Sequence, residues 1–249
     1  MNVSLYQAAA AMNANSLWQD VVADNLASNS VPGFKKQSLT TAAVQAGLMS
    51  VDASGQPRYF SVPQSSVSVS FKNGEMQYTG NDKTAAIEGN GFFQVELPDG
   101  STAVTRDGEF QINAHGQLVT KEGYIVTGES GPITLDPHNL NPLTISATGE
   151  VTQGGAIKGK ISLVDYQNPS QLTQTNGVYF LPTSPALKTK DATGVLREGF
   201  IETANGTSLG EMTNMMTSMR AFEANQHVIQ IQDDRIGKVI SDLGNTASS

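Results

Sequence analysis

Histidine and cysteine are the side chains most able to hold a metal ion or act as a nucleophile near neutral pH. The three histidines are His115, before a turn glycine, His138, in a loop rich in Pro and Asn, and His227, in a helical segment. No two of them have the spacing of metal ligands on one helix, and the sequence contains no cysteine that could add a thiolate. The sequence therefore predicts no zinc site, no disulfide and no cysteine nucleophile.

Glycine and acidic motifs that could bind a ligand have simpler structural interpretations. The glycine pair in residues 89–91 begins like a nucleotide-binding loop, but two phenylalanines follow it and no third glycine opens a helix. A serine triad is left open, because its members need not be adjacent in a sequence. We expect a protein that is not an enzyme and that uses no cofactor, metal or small-molecule substrate. Four acidic residues could suggest calcium-binding loops, but they lack the regular ligand spacing and are typical of turns: Asp99, Asp107, Glu109 and Asp136.

The composition argues against several classes of partner. The formal net charge is −8 and the pI is about 4.8, so a nucleic-acid-binding surface is not expected. Charged residues make up 15% of the chain, below the usual value of about a quarter, and the surface must consist largely of uncharged polar residues. Such a surface suits close contact with many neighbouring proteins, although it also suits an ordinary soluble β-protein. No apolar run approaches the roughly 18 residues that span a bilayer, and we expect no cleaved secretory signal.

The C-terminal segment 208–243 contains a heptad pattern of apolar residues. One series recurs every seven residues and comprises Met215, Phe222, Ile229, Ile236 and Leu243. A second series, three residues earlier in each cycle, comprises Met212, Met219, Gln226, Asp233 and Ile240. This pattern predicts a helix of about 35 residues, roughly 50 Å long, that packs against other helices. We interpret the two polar breaks, Gln226 and Asp233, as residues that fix the register of the helix.

A second long helix is predicted over residues 3–28, where alanine is dense and neither Pro nor Gly occurs. Its narrow apolar stripe includes Leu5, Met12, Val22 and Leu26. Because both ends of the chain are long helices, we expect them to pair with each other and to leave further stripes for neighbouring copies of the chain. A two-helix cap over a β-domain is the alternative interpretation.

The segments between the helices predict mainly strands. Residues 34–72 contain prolines and show no clear period, so we expect an extended linker there. Residues 73–205 have short strands separated by Gly, Asn, Asp and Pro turns, which indicates a β-rich domain. The expected fold class is therefore α+β. In this fold, residues 1–33 and 206–249 form long N- and C-terminal helices that make a coiled-coil-like element, and the β-rich domain is inserted between them.

Three motifs, in the same order along the chain, resemble signatures of the bacterial flagellar rod and hook family. The first resembles N-L-A-N-x-x-T-x-G-F-K and comprises Asn25, Leu26, Ala27, Pro32, Gly33 and Phe34, followed by Lys35. The second resembles G-x-G-F-F and Y-T-R-x-G and comprises Gly89, Gly91, Phe92, Phe93, Arg106 and Gly108. The third resembles M-x-x-M-I-x-x-Q-R-x-Y/F-E and includes Arg220, Phe222 and Glu223. The departures from these signatures include Ser28 for Asn, Val31 for Thr and Val104 for Tyr.

The resemblance implies a structural subunit of the flagellar basal-body rod. Such a subunit is exported unfolded by the flagellar type III apparatus and polymerises through its terminal helices into a shaft that crosses the periplasm and transmits motor torque. Its implied partners are copies of itself, other rod subunits and the export apparatus. The chain length of 249 residues fits the proximal-rod and the distal-rod subunits. Pro32, the turn at 131–134 and Asp234-Arg235 resemble the proximal-rod subunit more, and the distal-rod subunit is the alternative within the family. A surface adhesin or glycan-binding β-protein is the alternative from a different class.

Overall fold

The computed structural model describes residues 3–51, 56–137, 139, 141–184 and 187–246. One helix lies at each end of the chain, and the segments between them are rich in strands. The helices are α1 (Val3–Ala27) and α2 (Ser208–Thr246), with a short 3₁₀ turn at Pro169–Gln171. The strands are β1 (Gln37–Val51), β2 (Pro57–Val69), β3 (Met76–Tyr78), β4 (Ala85–Glu88), β5 (Phe92–Glu96), β6 (Thr102–Thr105), β7 (Phe110–Ile112), β8 (Leu118–Thr120), β9 (Ile125–Gly128), β10 (Gly131–Pro132), β11 (Leu143–Ile145), β12 (Glu150–Gln153), β13 (Ala156–Lys160), β14 (Leu163–Tyr166), β15 (Leu172–Thr175), β16 (Tyr179–Pro182), β17 (Thr189–Asp191), β18 (Val195–Glu198) and β19 (Phe200–Glu202).

The chain divides into two compact units. Unit 1 comprises Met1–Leu26, Gln37–Ser68 and Ser208–Ser249. Unit 2 comprises Ala27–Lys36 and Val69–Thr207. The chain therefore passes from one unit to the other after residues 26, 36, 68 and 207.

Unit 1 contains both helices and the two-stranded sheet of β1 and β2. Polar side chains connect the two strands, because the hydroxyl oxygens of Ser38 and Ser68 lie 3.2 Å apart. In the described part of the chain, neither helix is both long and apolar enough to cross a membrane. A cavity of about 310 Å³ lies where α1, the sheet and α2 meet, and its lining includes Ala14, Trp18, Leu39, Pro63 and Asn225.

The prediction that the terminal helices form a coiled-coil-like element is wrong, although both helices and the strand-rich middle are present. The sheet of β1 and β2 lines the same cavity as both helices, so the strands take part in the packing of unit 1 together with the helices. The predicted second series on α2 also points away from the packed face, since Met212 and Met219 are 49% and 50% exposed. The less exposed face of α2 consists instead of residues spaced alternately by four and three positions: Glu211, Met215, Ser218, Phe222, Asn225, Ile229 and Gln232. Four of these seven residues are polar, which is unlike the apolar seam of a coiled coil.

Unit 2 is built around an antiparallel sheet with the strand order β15-β16-β6-β5-β9-β8-β7, to which β10 and the β14–β17 pair are added. The central strand β5 is buried on both faces. Phe93 packs in the larger core, edge-to-face against Phe110 with ring centroids 5.1 Å apart. Phe92 points into a smaller core on the other face with Val104 and Phe180.

Candidate functional site

Three charged side chains meet in the interior of unit 2 and form what we call the charge cluster: Lys35, Arg106 and Glu202. The Glu202 carboxylate joins them, with Oε1 2.5 Å from Lys35 Nζ and Oε2 3.0 Å from Arg106 Nη1. The exposed fractions of the three side chains are only 1% for Lys35, 4% for Arg106 and 2% for Glu202. Buried charges are tolerated when they are paired and hydrogen-bonded, so this arrangement has to form as a unit.

Each member of the charge cluster is also bound to the backbone of another segment. Lys35 donates from Nζ to the carbonyl of Lys72 at 2.8 Å. Arg106 donates from Nη2 to the carbonyl of Gly89 at 2.8 Å. Glu202 accepts at Oε1 from the amide of Gly74 at 2.7 Å. The charge cluster therefore connects four parts of unit 2: the segment after α1, the segment after β2, the loop before β5 and the end of β19.

Burial controls the electrostatics of the charge cluster. Burial lowers the pKa of Lys35 below its ordinary value, and the neighbouring Glu202 carboxylate opposes that change. Burial likewise lowers the pKa of Arg106, again against the effect of Glu202. The Arg106 guanidinium also lies 5.2 Å from the centroid of the Phe92 ring, which is a cation–π distance. One carboxylate thus compensates two buried cations, and removing it would leave both without their main counter-charge.

Glycine is required beside the charge cluster because two backbones approach closely. Gly33 has a φ of +70°, and its amide donates to the carbonyl of Glu202 at 2.7 Å. A Cβ atom at this position would lie 2.3 Å from the amide nitrogen of Asp107. Gly108 shows the same constraint, since its Cβ would lie 1.7 Å from the carbonyl oxygen of Ala85. Any other residue would force these segments apart.

The structure brings together two of the three sequence motifs. From the first motif, Gly33, Phe34 and Lys35 are buried in unit 2, and from the second motif the buried residues are Gly91, Phe92, Phe93, Arg106 and Gly108. The third motif lies on α2 in unit 1, where Arg220 and Glu223 are exposed and Phe222 is half-buried. The remaining residues of the first two motifs are less buried or lie in unit 1. Asn25 and Leu26 are the last two residues of the first segment of unit 1, Ala27 is exposed, and Pro32 and Gly89 are half-buried.

Sequence reasoning missed Glu202, the residue that joins the two motifs. It lies 167 residues from Lys35 and 96 residues from Arg106 along the chain. The available signal was chemical, because Lys35 and Arg106 are basic residues in motifs that also contain phenylalanine, and a buried basic side chain needs a carboxylate. The segment Phe200–Glu202 contains an acidic residue at the end of an apolar strand, but several other carboxylates have similar settings.

The residues predicted to lie at subunit interfaces divide into three groups, and their interface role remains a prediction. Val22 is buried, and Met12, Leu26, Met215, Phe222 and Ile229 are half-buried within the chain itself. Met212, Met219 and Ile236 are exposed. The side chains of Leu5, Ile240 and Leu243 lie outside the described part of the chain.

The residues with possible catalytic roles are not assembled into a reactive site within the described ranges. His115 and His227 are exposed, whereas His138 lies outside the described residues. Residues 206–210 spell G-x-S-x-G, but Ser208 is the first residue of α2 and does not directly follow a strand as a nucleophile elbow requires. His227, on the same helix, lies roughly 28 Å further along its axis. No group of three or more His, Asp or Glu side chains in the described residues has the geometry to hold a metal.

One buried carboxyl group stands apart from the charge cluster. Burial raises the pKa of Asp107 to about 7, although the amide of Glu109 donates to its Oδ1 at 2.9 Å. Nearby, the hydroxyl of Tyr179 donates to Glu122, and burial raises the pKa of this tyrosine above its ordinary value. Asp107 is only 3% exposed, so its ionisation bears on the stability of unit 2 and not on a reaction with a ligand.

Comparisons with known proteins agree with the motifs. Residues 86–153 match a family profile described as the flagellar hook protein FlgE/F/G D1 domain, and residues 197–242 match one described as the flagellar basal body rod FlgEFG protein C-terminal region. The chain is 32% identical to the flagellar basal-body rod protein FlgG of Buchnera aphidicola subsp. Baizongia pistaciae, over 95% of this chain and 98% of that relative. It is 31% identical to the FlgG protein of Borreliella burgdorferi, over 94% and 96% of the two chains. It is 29% identical to the flagellar basal-body rod protein FlgF of Mesorhizobium japonicum, over 98% and 99%.

Proposed function

The chain belongs to the flagellar basal-body rod protein family, and we propose that it is a rod subunit that polymerises through surfaces on its terminal helices. The family is one of structural proteins of the flagellum basal body, and its members assemble with other rod or hook subunits.

An exposed apolar stripe on α2 is the observation that supports polymerisation. The stripe comprises Leu209, Met212, Met216 and Met219, which are 78%, 49%, 55% and 50% exposed. Their spacing of three, four and three residues places them on one face of the helix. Methionine side chains adapt to irregular partner surfaces, and a run of exposed apolar residues marks a surface for protein contact. A neighbouring copy or another rod subunit would cover this stripe.

Repetition of such a contact would produce a shaft. A head-to-tail interface that does not close into a ring generates a helical filament. We propose that this filament crosses the periplasm and carries motor torque, and that the subunit reaches it through the type III export apparatus.

Within the rod, we propose the proximal position, with the distal position as the alternative. The proposal comes from the resemblance carried by Pro32, residues 131–134 and Asp234-Arg235, and the relatives carry both the name FlgG and the name FlgF. Complementation separates the two positions. The gene should restore swimming to a strain that lacks the proximal subunit, and restoration only in a strain that lacks the distal subunit would establish the alternative.

A pair of matched variants tests the role of the stripe. Met216→Glu places a charge within the stripe, and Thr217→Glu places the same charge on a neighbouring exposed position about 100° around the helix. We expect Met216→Glu to abolish rod assembly in a complementation assay, while Thr217→Glu assembles normally and both purified chains keep the same unfolding midpoint. Normal assembly of Met216→Glu would contradict polymerisation through this stripe.

A further inference from the structure

Two asparagine side chains hold the backbone of consecutive residues at one passage between the units. Lys36 is the last residue of its segment in unit 2, and Gln37 is the first of the next segment in unit 1. The Oδ1 atom of Asn205, in unit 2, accepts a hydrogen bond from the Lys36 amide at 2.8 Å. Asn25, in unit 1, accepts at Oδ1 from the Gln37 amide and donates from Nδ2 to the Gln37 carbonyl, both at 2.8 Å.

Asn205 also holds a second segment of unit 2 that leads to another passage. Its Nδ2 donates to the carbonyl of Ser70 at 2.7 Å and to the carbonyl of Lys72 at 2.9 Å. The Ser70 amide in turn donates to the carbonyl of Lys36 at 2.9 Å. The Asn205 side chain therefore binds residues close to two points where the chain changes unit, after residues 36 and 68. Asn205 itself lies two residues before the third such point, after residue 207.

The charge cluster anchors this arrangement in the core of unit 2. Lys35 precedes Lys36 directly and binds both Glu202 and the carbonyl of Lys72, the same carbonyl that Asn205 binds. Asn25 is itself 3% exposed, so water competes little for its two bonds to Gln37. The backbone on both sides of the bond between residues 36 and 37 is thus fixed by buried or partly buried groups.

We propose that Asn25 and Asn205 act as a bracket that stiffens the chain at residues 36 and 37 against twisting. A hinge needs a few residues whose φ and ψ angles can change, and hydrogen bonds to the amides of both residues restrict those angles. The proposal rests on the proposed rod function, because the backbone of a subunit in a rotating shaft carries a torsional load. It assigns a mechanical role to both Asn25 and Asn205.

Amide hydrogen exchange on the full-length chain tests the bracket directly. In Asn205→Ala the Lys36 amide should exchange about 10-fold faster, and in Asn25→Ala the Gln37 amide should do so, since each loses its acceptor. Amides of β5 and β6 should keep wild-type rates, which shows that unit 2 is still folded. The control is Asn168→Ala, because the Asn168 side chain makes no capping hydrogen bond at the 3₁₀ turn. Unchanged exchange at Lys36 and Gln37 would overturn the proposal.

A second variant keeps the test decisive if Asn205→Ala unfolds unit 2. Asn205→Asp retains an acceptor for the Lys36 amide but turns a carboxylate towards the carbonyls of Ser70 and Lys72. In Asn205→Asp the exchange rate of the Lys36 amide should therefore be closer to the wild-type rate than it is in Asn205→Ala, which has no acceptor. Equal loss of Lys36 protection in Asn205→Asp and Asn205→Ala would show that Asn205 does not act through this bond.

Swimming under load tests the mechanical part. Cells that carry Asn25→Ala or Asn205→Ala should swim at wild-type speed in dilute medium and lose speed more steeply as viscosity is raised. The same viscosity dependence as wild type would refute load bearing. If the wild-type gene itself fails to restore swimming to the corresponding deletion strain, the proposed function fails, whereas the exchange result still decides whether the bracket exists.

Discussion

Arg106 donates a hydrogen bond to the carboxylate of Glu202 at 3.0 Å although 96 residues separate them in the chain. Both side chains are buried, and the same carboxylate pairs with Lys35 at 2.5 Å. The pairing explains how two basic side chains can be buried in unit 2. It also makes Glu202 the residue on which several segments of unit 2 depend.

Replacing Glu202 should destabilise unit 2 far more than replacing an exposed carboxylate. Glu202→Gln keeps the shape of the side chain but leaves two buried cations without a counter-charge, which should cost about 3 to 5 kcal/mol. The control is Glu129→Gln, because Glu129 and Lys160 pair at 2.6 Å with exposed fractions of 56% and 41%. Its cost should stay below about 1 kcal/mol. Denaturant unfolding measures both, and similar losses would contradict a structural role for the charge cluster.

Gly33 should tolerate alanine poorly because of a steric clash and not only because of its backbone angle. Gly33 and Gly100 have φ angles of +70° and +80°, but only at Gly33 would a Cβ meet other atoms, 2.3 Å from the amide nitrogen of Asp107. Gly100→Ala should therefore cost about 1 kcal/mol for the left-handed conformation, and Gly33→Ala should cost at least about 2 kcal/mol more. Thermal unfolding of the two variants provides the comparison. Equal shifts in Tm would show that the close approach relaxes without cost.

The stability of unit 2 should fall as pH rises through neutrality because of Asp107. Its pKa rises from 3.8 to about 7 on folding, so between these values the folded chain binds a proton that the unfolded chain has released. The stabilisation is complete below the unfolded pKa and is lost as pH rises through the folded pKa, by up to about 4 kcal/mol. Asp107→Asn keeps an acceptor for the Glu109 amide and removes the ionisation. Unfolding free energies at pH 5 and pH 8 should differ less in this variant than in the wild type, and an equal difference would refute the assignment.

Phe222 should matter for unit 1 but not for unit 2. This half-buried residue lies on the packed face of α2, so Phe222→Asp should loosen α2 and prevent rod assembly. The cores of unit 2 do not include it, and they should keep their protection against proteolysis. Val228→Asp is the control, since Val228 is 45% exposed on the same helix. Loss of the unit 2 fragment in a limited digest of Phe222→Asp would contradict this separation.

The sequence predicted the elements better than their packing. The helix at each end followed from local signals, namely the alanine-rich segment without Pro or Gly and the seven-residue recurrence of Met215, Phe222 and Ile229. The β-rich middle followed from turn dipeptides at regular intervals. The companion series on α2 is displaced by one residue from the less exposed face of the helix, because Ser218 and Met219 are adjacent and the apolar pattern favoured Met219. In the structure the small side chain of Ser218 is fully buried and the methionine is half exposed.

The sequence by itself determined the helices, the strand-rich middle and the family motifs, because these depend on neighbours within a few residues along the chain. Only the tertiary structure revealed that Glu202 pairs with Lys35 and Arg106, that β1 and β2 pack with both helices in unit 1, and that Asn205 holds the backbone of Lys36. These contacts join residues that lie far apart in the chain. A single sequence contains many carboxylates and asparagines of equivalent chemistry, and the fold selects among them by bringing one of each within hydrogen-bonding distance.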